Sequence, residues 1–122
     1  MNWLSVLGFI FVGGGLGSVS RFGIWKLTSL IWDTRFPIGT VIANLLACTV
    51  LGLMIYYFKD KASTNQFVRF FIVVGFCGGF STFSTFSMEN VVLIKEGFYL
   101  YGFLNIFISI ALSFVILWSL IK

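Results

Sequence analysis

Four long apolar stretches follow one another along the chain, and short polar segments separate them. A helix needs about 20 apolar residues to cross the hydrocarbon core of a bilayer. Each stretch meets that length, and they cover residues 3–25, 36–58, 67–92 and 97–121. The connections are short, so consecutive helices should pack as antiparallel neighbours. The pattern predicts an all-α integral membrane protein in which residues 1–122 form a single domain of four transmembrane helices.

Residues at the ends of the stretches agree with this arrangement. Pro37 is predicted in the first turn of the second helix, where its missing N–H costs little. No basic region precedes Trp3, so we expect the first stretch to be a span and not a cleaved signal peptide. Aromatic residues suited to the membrane–water boundary lie near the ends of the stretches: Trp3, Trp25, Trp32, Tyr56, Tyr57, Tyr99 and Trp118.

The composition excludes several other classes of protein. The 122 residues are 59% hydrophobic and 10% charged, which is too few charges for a soluble domain of this size. The net charge is +4, but the Lys and Arg residues are scattered singly, so we do not expect a nucleic-acid partner. His is absent, and Cys48 and Cys77 lie inside apolar segments, so neither a disulfide framework nor a transition-metal site is predicted. No nucleophile–base pair is evident, and an enzyme is not expected.

The basic residues give almost no preference for one orientation in the membrane. With an even number of spans, one side carries Lys59, Lys61, Arg69 and Lys122, and the other carries Lys26, Arg35 and Lys95. The positive-inside rule needs a clear excess on one side. Two interpretations remain open: a weakly biased protein that other factors orient, or dual topology with antiparallel pairing of subunits.

The first stretch combines small residues with one charge. Its small residues are spaced for close approach to another backbone, which favours helix packing: Gly13, Gly14, Gly15, Gly17 and Ser18. Arg21 follows on the Gly17 face. Its guanidinium is expected either to reach the lipid headgroups or to hold subunits together.

The second and fourth stretches each carry a polar stripe with steps of four residues. The stripes are Thr40, Asn44, Cys48 and Gly52 in one, and Asn105, Ser109 and Ser113 in the other. The amide of Asn44 has two N–H hydrogens that need partners inside a membrane. It is expected to bond to another helix or to donate into an anion path. The serines either bond back to their own helix or line a hydrated path.

The third stretch is the most informative, because hydroxyl groups and glycines crowd its middle. Residues 75–86 read GFCGGFSTFSTF. Gly78 and Gly79 weaken the helix, and a break would leave carbonyl groups that lipid cannot satisfy. Such backbone must be buried or line a cavity, and its free carbonyls can coordinate a small cation. Phe83 and Phe86 share a helical face, and ring edges with partial positive charge can attract an anion weakly.

Residues 75–87 and Glu89 resemble the signature of the Fluc (CrcB-type) fluoride channels. The resemblance extends over all four spans and includes Gly14, Gly17, Arg21, Gly39, Thr40 and Asn44. It implies a fluoride-selective channel in the cell inner (plasma) membrane that passively exports cytoplasmic fluoride. It also implies an antiparallel, dual-topology homodimer with two pores and a third helix that is broken near its middle.

The resemblance further implies roles for individual residues. The fluoride pore would be lined by Asn44, Phe83, Phe86, Ser109, Ser113, Thr40 and Thr82. A structural sodium ion at the dimer interface would be held by the backbone carbonyls of Gly78 and Ser81. Arg21, Gly14 and Gly17 would serve the dimer contact or the structure of the subunit.

Two alternatives to a fluoride channel remain. A small multidrug transporter also has four short spans, but proton coupling needs an ionisable residue deep in the membrane. The first stretch has no carboxylate, and Glu89 sits toward the end of the third, where it belongs either to an interface or to a vestibule. A structural subunit of a larger complex would need no hydroxyl-rich segment in its third span.

Overall fold

The computed structural model describes residues 2–59 and 65–121, and every element in these ranges is helical. The elements are α1 (Trp3–Ile31), α2 (Ile38–Phe58), π1 (Phe67–Cys77), α3 (Gly78–Phe80), α4 (Phe83–Lys95) and α5 (Tyr99–Leu120). Four stretches are long and apolar enough to cross a membrane: Trp3–Ile31, Ile38–Phe58, Phe67–Lys95 and Tyr99–Leu120. The predicted all-α organisation with four long apolar helices is confirmed.

Helix α1 continues well into the segment that was predicted to be a connection. It begins at the Asn2 cap, whose side-chain oxygen accepts from Leu4 N at 3.0 Å, and it ends at Ile31. The lone charge of Lys26 does not stop the helix, because its aliphatic stem can lie along apolar surface. Leu27 and Leu30 extend the apolar surface beyond it. The prediction of a connection at residues 26–31 is therefore wrong.

The other boundaries differ from the predictions by small amounts. Pro37 precedes the first residue of α2 instead of lying in its first turn, and its carbonyl accepts from Val41 N at 3.2 Å. Helix α4 includes Lys95, which was expected in a connection, and the chain turns through Gly97 at a φ of 87°. Lys61 and Lys122, two of the residues used in the charge comparison, lie outside the described residues.

The small residues of α1 pack against the third span of the same chain. A Cβ atom added to Gly13 would collide with Phe71 O, and one added to Gly17 would collide with Phe76 O. From the opposite side, a Cβ on Gly79 would collide with Gly14 O. The two backbones approach so closely that only glycine fits, and this contact fixes the third span beside α1.

The third span changes its backbone conformation at Ser81 and Thr82. Helix α3 ends at Phe80 and α4 begins at Phe83. Between them, Ser81 has a ψ of 156° and Thr82 has a φ of −150° and a ψ of 120°, which is extended backbone. The buried cluster of Ala43, Ala47 and Phe80 holds the end of α3 against α2. The extended residues Ser81 and Thr82 thereby lie among α2, α4 and α5.

Candidate functional site

A cavity of about 250 Å³ opens beside the extended residues of the third span. Helices α2, α4 and α5 supply the rest of its wall. The wall contains Asn44, Cys48, Ser81, Thr82, Phe83, Phe86, Ser109, Ile110, Ser113 and Phe114. Asn44 and Cys48 of the second stretch and Ser109 and Ser113 of the fourth therefore face the same space as the hydroxyl-rich segment.

Asn44 and Thr82 hold the two sides of this cavity together. The backbone N–H of Thr82 donates to Asn44 Oδ1 at 2.9 Å. In return, Asn44 Nδ2 lies 3.4 Å from the carbonyl oxygen of Thr82, which is a long hydrogen bond. The amide replaces the helical hydrogen bonds that the extended backbone has lost. Among the residues that the structure describes, its second N–H hydrogen has no hydrogen-bond partner.

The Thr82 hydroxyl caps the helix that follows. Thr82 Oγ1 accepts from the backbone N–H of Thr85 at 3.2 Å, as expected for a residue at the N-cap position. The start of α4 lies at the cavity wall, and the N-terminus of a helix carries partial positive charge. The electrostatic environment at this point of the wall favours an anion.

Phe83 and Phe86 lie next to each other, but their surroundings differ greatly. Their ring centroids are 6.2 Å apart, with an angle of 41° between the ring planes. Phe86 is only 8% exposed, whereas Phe83 is 81% exposed. The cavity is closed on the Phe86 side and open on the Phe83 side.

The Ser109 hydroxyl bonds to another side chain of α5 and not to the backbone of that helix. Its hydroxyl donates to Asn105 Oδ1 at 3.2 Å. Asn105 has no exposed surface, and its Nδ2 donates to Asn90 Oδ1 at 2.7 Å. Ser113, one helical turn further along α5, is half-buried at the cavity wall.

Thr40 lies apart from the other predicted pore residues. It lines a second cavity of about 350 Å³ together with Arg21, Thr82, Thr85, Ser18, Phe22, Trp25 and Gly39. The Thr40 hydroxyl donates to Glu89 Oε1 at 2.6 Å. Thr82 is in the wall of both cavities, so the predicted pore residues form two groups that meet at Thr82.

The Arg21 side chain is held inside the subunit. Its Nε donates to the carbonyl oxygen of Gly79 at 3.1 Å, and the residue is half-buried. The bond ties α1 to the end of α3. It also takes up a carbonyl that the interrupted third span would otherwise leave free.

Comparison with known proteins agrees with this geometry. The family model described as "CrcB-like protein, Camphor Resistance (CrcB)" matches residues 8–120. The chain belongs to the CrcB family.

Several curated CrcB relatives carry the name "Fluoride-specific ion channel FluC". The relative from Flavobacterium psychrophilum is 35% identical over 111 residues, which cover 91% of this chain and 90% of the relative. The one from Coxiella burnetii is 38% identical over 110 residues and 89% of each chain. The one from Vibrio campbellii is 38% identical over 118 residues, covering 97% of this chain and 93% of the relative. These relatives are channels and not enzymes by their names, in agreement with the expectation from the sequence.

The sequence analysis missed one polar residue that the structure connects to the cavity of this CrcB protein. Asn90 is 5% exposed and bonds to Asn105. It lies four residues after Phe86, so both occupy one face of α4. An asparagine at that spacing inside an apolar span could have drawn attention to it. The pairing of Glu89 with Thr40 joins two spans and could not be read from either one.

Proposed function

We propose that this protein is a fluoride-selective ion channel that passively exports cytoplasmic fluoride. Membership of the CrcB family carries the proposal, since relatives covering most of the chain are named as fluoride-specific channels. The cavity beside Asn44 supports it, because its polar groups can donate hydrogen bonds and no cationic side chain lies in its wall among the described residues. An anion would be attracted there without being bound tightly, as conduction requires.

Several groups in the cavity wall together replace the water molecules that surround fluoride in solution. The free N–H of Asn44 and the hydroxyl of Ser113 act as hydrogen-bond donors to the ion, and the Ser109 hydroxyl can donate to it only by giving up its bond to Asn105. The edges of Phe83 and Phe86 add a weaker attraction through their partial positive charge. Thr82 lies in the wall of this cavity and in that of the cavity with Thr40 and Arg21, so we expect the path of the ion to continue into the second cavity along the third span.

The direction of transport follows from the membrane potential and from the acid–base chemistry of fluoride. Hydrogen fluoride crosses membranes as a neutral acid and ionises in the less acidic cytoplasm. A negative interior then drives the trapped anion outward by about 2.3 kcal/mol per charge per 100 mV. We place the channel in the plasma membrane, where this potential and the outward path both exist.

We further propose that two subunits pair antiparallel. Phe83 is 81% exposed although it lines the cavity, and a second subunit packed there would close the space around it. The nearly balanced charges on the two sides permit insertion in both orientations. Two-fold symmetry then gives two equivalent pores in each dimer.

The carbonyl groups near the interruption of the third span fit a small structural cation such as sodium. Thr82 N–H bonds to Asn44 instead of to Gly78 O, and Thr85 N–H bonds to Thr82 Oγ1 instead of to Ser81 O. Among the described residues, no hydrogen bond therefore reaches the carbonyl oxygens of Gly78 and Ser81. Uncompensated carbonyls are suitable ligands for sodium. Gly78 is an exposed residue, as a ligand to an ion between two subunits would have to be.

Fluoride release from liposomes tests the proposed function. Purified protein is reconstituted with internal potassium fluoride, valinomycin carries the compensating potassium current, and an external electrode reports fluoride. We expect rapid release of fluoride and little release of chloride in a parallel sample. Absence of release from folded, dimeric protein would refute the proposal.

A further inference from the structure

A buried chain of polar side chains runs from α4 to the cavity wall. It consists of Asn90, Asn105 and Ser109, and only Ser109 reaches the cavity. Exposed fractions are 5% for Asn90, 0% for Asn105 and 6% for Ser109. Water therefore has no access to the middle of the chain, and each group depends on its protein partner.

The direction of the hydrogen bonds decides what Ser109 offers to the cavity. A hydroxyl has a single proton, and Ser109 donates it to Asn105 Oδ1. Only lone pairs of Ser109 are then left for the cavity, and lone pairs repel an anion. Fluoride gains the proton only when the hydroxyl turns away from Asn105 and gives up that bond.

Asn90 fixes this direction. The Asn105 amide could rotate by half a turn and present its NH₂ group to Ser109, which would then accept from Asn105 and keep its proton for the cavity. Asn90 Oδ1 opposes the rotation, because it accepts from Asn105 Nδ2 on the opposite side at 2.7 Å and turning the Asn105 amide alone would break this bond. Helices α4 and α5 are close to each other at this point. A Cβ atom added to Gly102 of α5 would lie 3.7 Å from the backbone oxygen of Asn90 in α4.

We propose that Asn90 is a positioning residue that, through Asn105, makes Ser109 a weak donor to the permeating ion. This inference rests on the proposed fluoride channel activity. A weak donor at Ser109 allows fluoride to leave the cavity quickly, because an ion bound too strongly by a row of donors would leave slowly.

The variant Asn90→Leu tests the proposal in single-channel recordings at increasing fluoride concentration. Leucine is similar in size but cannot accept a hydrogen bond, so Asn105 becomes free to rotate. We expect the fluoride concentration for half-maximal current to fall about fivefold, the ratio that corresponds to one net hydrogen bond of about 1 kcal/mol. Single-channel current reports only on molecules that have folded, so partial misfolding does not change the measured fluoride concentration for half-maximal current.

Three further variants separate positioning from packing. Asn90→Asp keeps the acceptor for Asn105, so the half-saturating concentration should not fall. Leu93→Ala removes packing from α4 at a residue that is 4% exposed, and should reduce the number of active channels without changing half-saturation. In an Asn105→Leu background, Asn90→Leu should have no additional effect, because the intermediary is gone.

The outcomes distinguish this inference from the proposed function. If wild-type protein conducts fluoride but Asn90→Leu has the wild-type half-saturation, the positioning role is refuted and the channel proposal stands. Equal decreases in Asn90→Leu and Asn90→Asp would also refute it. A wild-type protein without fluoride current would overturn the proposed function and this inference with it.

Discussion

Asn44→Asp separates the two tasks that the structure gives to Asn44. The carboxylate is nearly isosteric with the amide and still accepts from Thr82 N–H, which Asn44 Oδ1 binds at 2.9 Å. The shorter of the two bonds to Thr82 should therefore be kept, whereas the long bond from Asn44 Nδ2 to the Thr82 carbonyl is lost. The N–H donor to the cavity is lost, however, and a negative charge takes its place at the wall.

The cavity dimensions set the size of the effect. A sphere of 250 Å³ has a radius of about 4 Å, so an ion at its centre lies about that far from the new carboxylate. At an effective dielectric constant of about 20, two like charges at this distance repel by about 4 kcal/mol. We expect fluoride occupancy, and with it the flux, to fall about a thousandfold.

The assay is fluoride efflux from liposomes at pH 8, with thermal unfolding in detergent measured on the same preparation. Asn44→Ala is the comparison variant. It removes the donor to the cavity and, unlike Asn44→Asp, leaves Thr82 N–H without a partner, so the free energy of unfolding should fall by about 1–3 kcal/mol. Asn44→Asp should lose flux while keeping most of the wild-type stability. Flux within threefold of wild type from Asn44→Asp would refute the assignment of this cavity to the pore.

Three other predictions follow from the packing and the cavity wall. Gly17→Ala should lower the free energy of unfolding by about 1–3 kcal/mol in thermal unfolding, whereas Gly15→Ala should not, because there is open space around Gly15. Equal stability of the two variants would contradict the described contact between α1 and the third span. Phe83→Ile and Phe86→Ile keep an apolar side chain but remove the ring edge. Fluoride efflux should fall at least tenfold, which corresponds to a loss of about 1.4 kcal/mol or more in the interaction with the ion. Unchanged flux and selectivity in both variants would show the ring-edge argument to be wrong. A small thiol reagent should reduce efflux by modifying Cys48 in the cavity wall, and Cys48→Ala should remove that sensitivity; inhibition that persists in Cys48→Ala would place the reactive group elsewhere.

The sequence was sufficient to predict the helices because apolar length and terminal aromatics act locally. Their ends were less predictable. Lys26 stands in a helix and not in a connection, since one long cationic side chain can extend along apolar surface without ending a helix. A helix boundary depends on caps and neighbours that a window of hydropathy does not contain.

The candidate site was predictable to the extent that its residues recur at helical spacing. The steps of four that relate Asn44 to Cys48 and Ser109 to Ser113 place each pair on one helical face, and the structure brings both faces to one cavity. The separation of Thr40 from that cavity was not predictable, because it depends on the hydrogen bond to Glu89 on another helix. The Asn90–Asn105 bond has the same origin, since two spans must first pack before their amides can meet.

The reversal potential of the current through a planar bilayer tests the central claim most directly. With a tenfold fluoride gradient and no other permeant anion, a fluoride-selective channel reverses at about 59 mV, the value for one charge and a tenfold ratio. Replacing about nine-tenths of the fluoride by chloride on one side of an initially symmetric bilayer should give the same potential, because fluoride alone sets it. A current that reverses near zero in this fluoride–chloride arrangement would show that the path does not discriminate between the two ions, and would contradict the account.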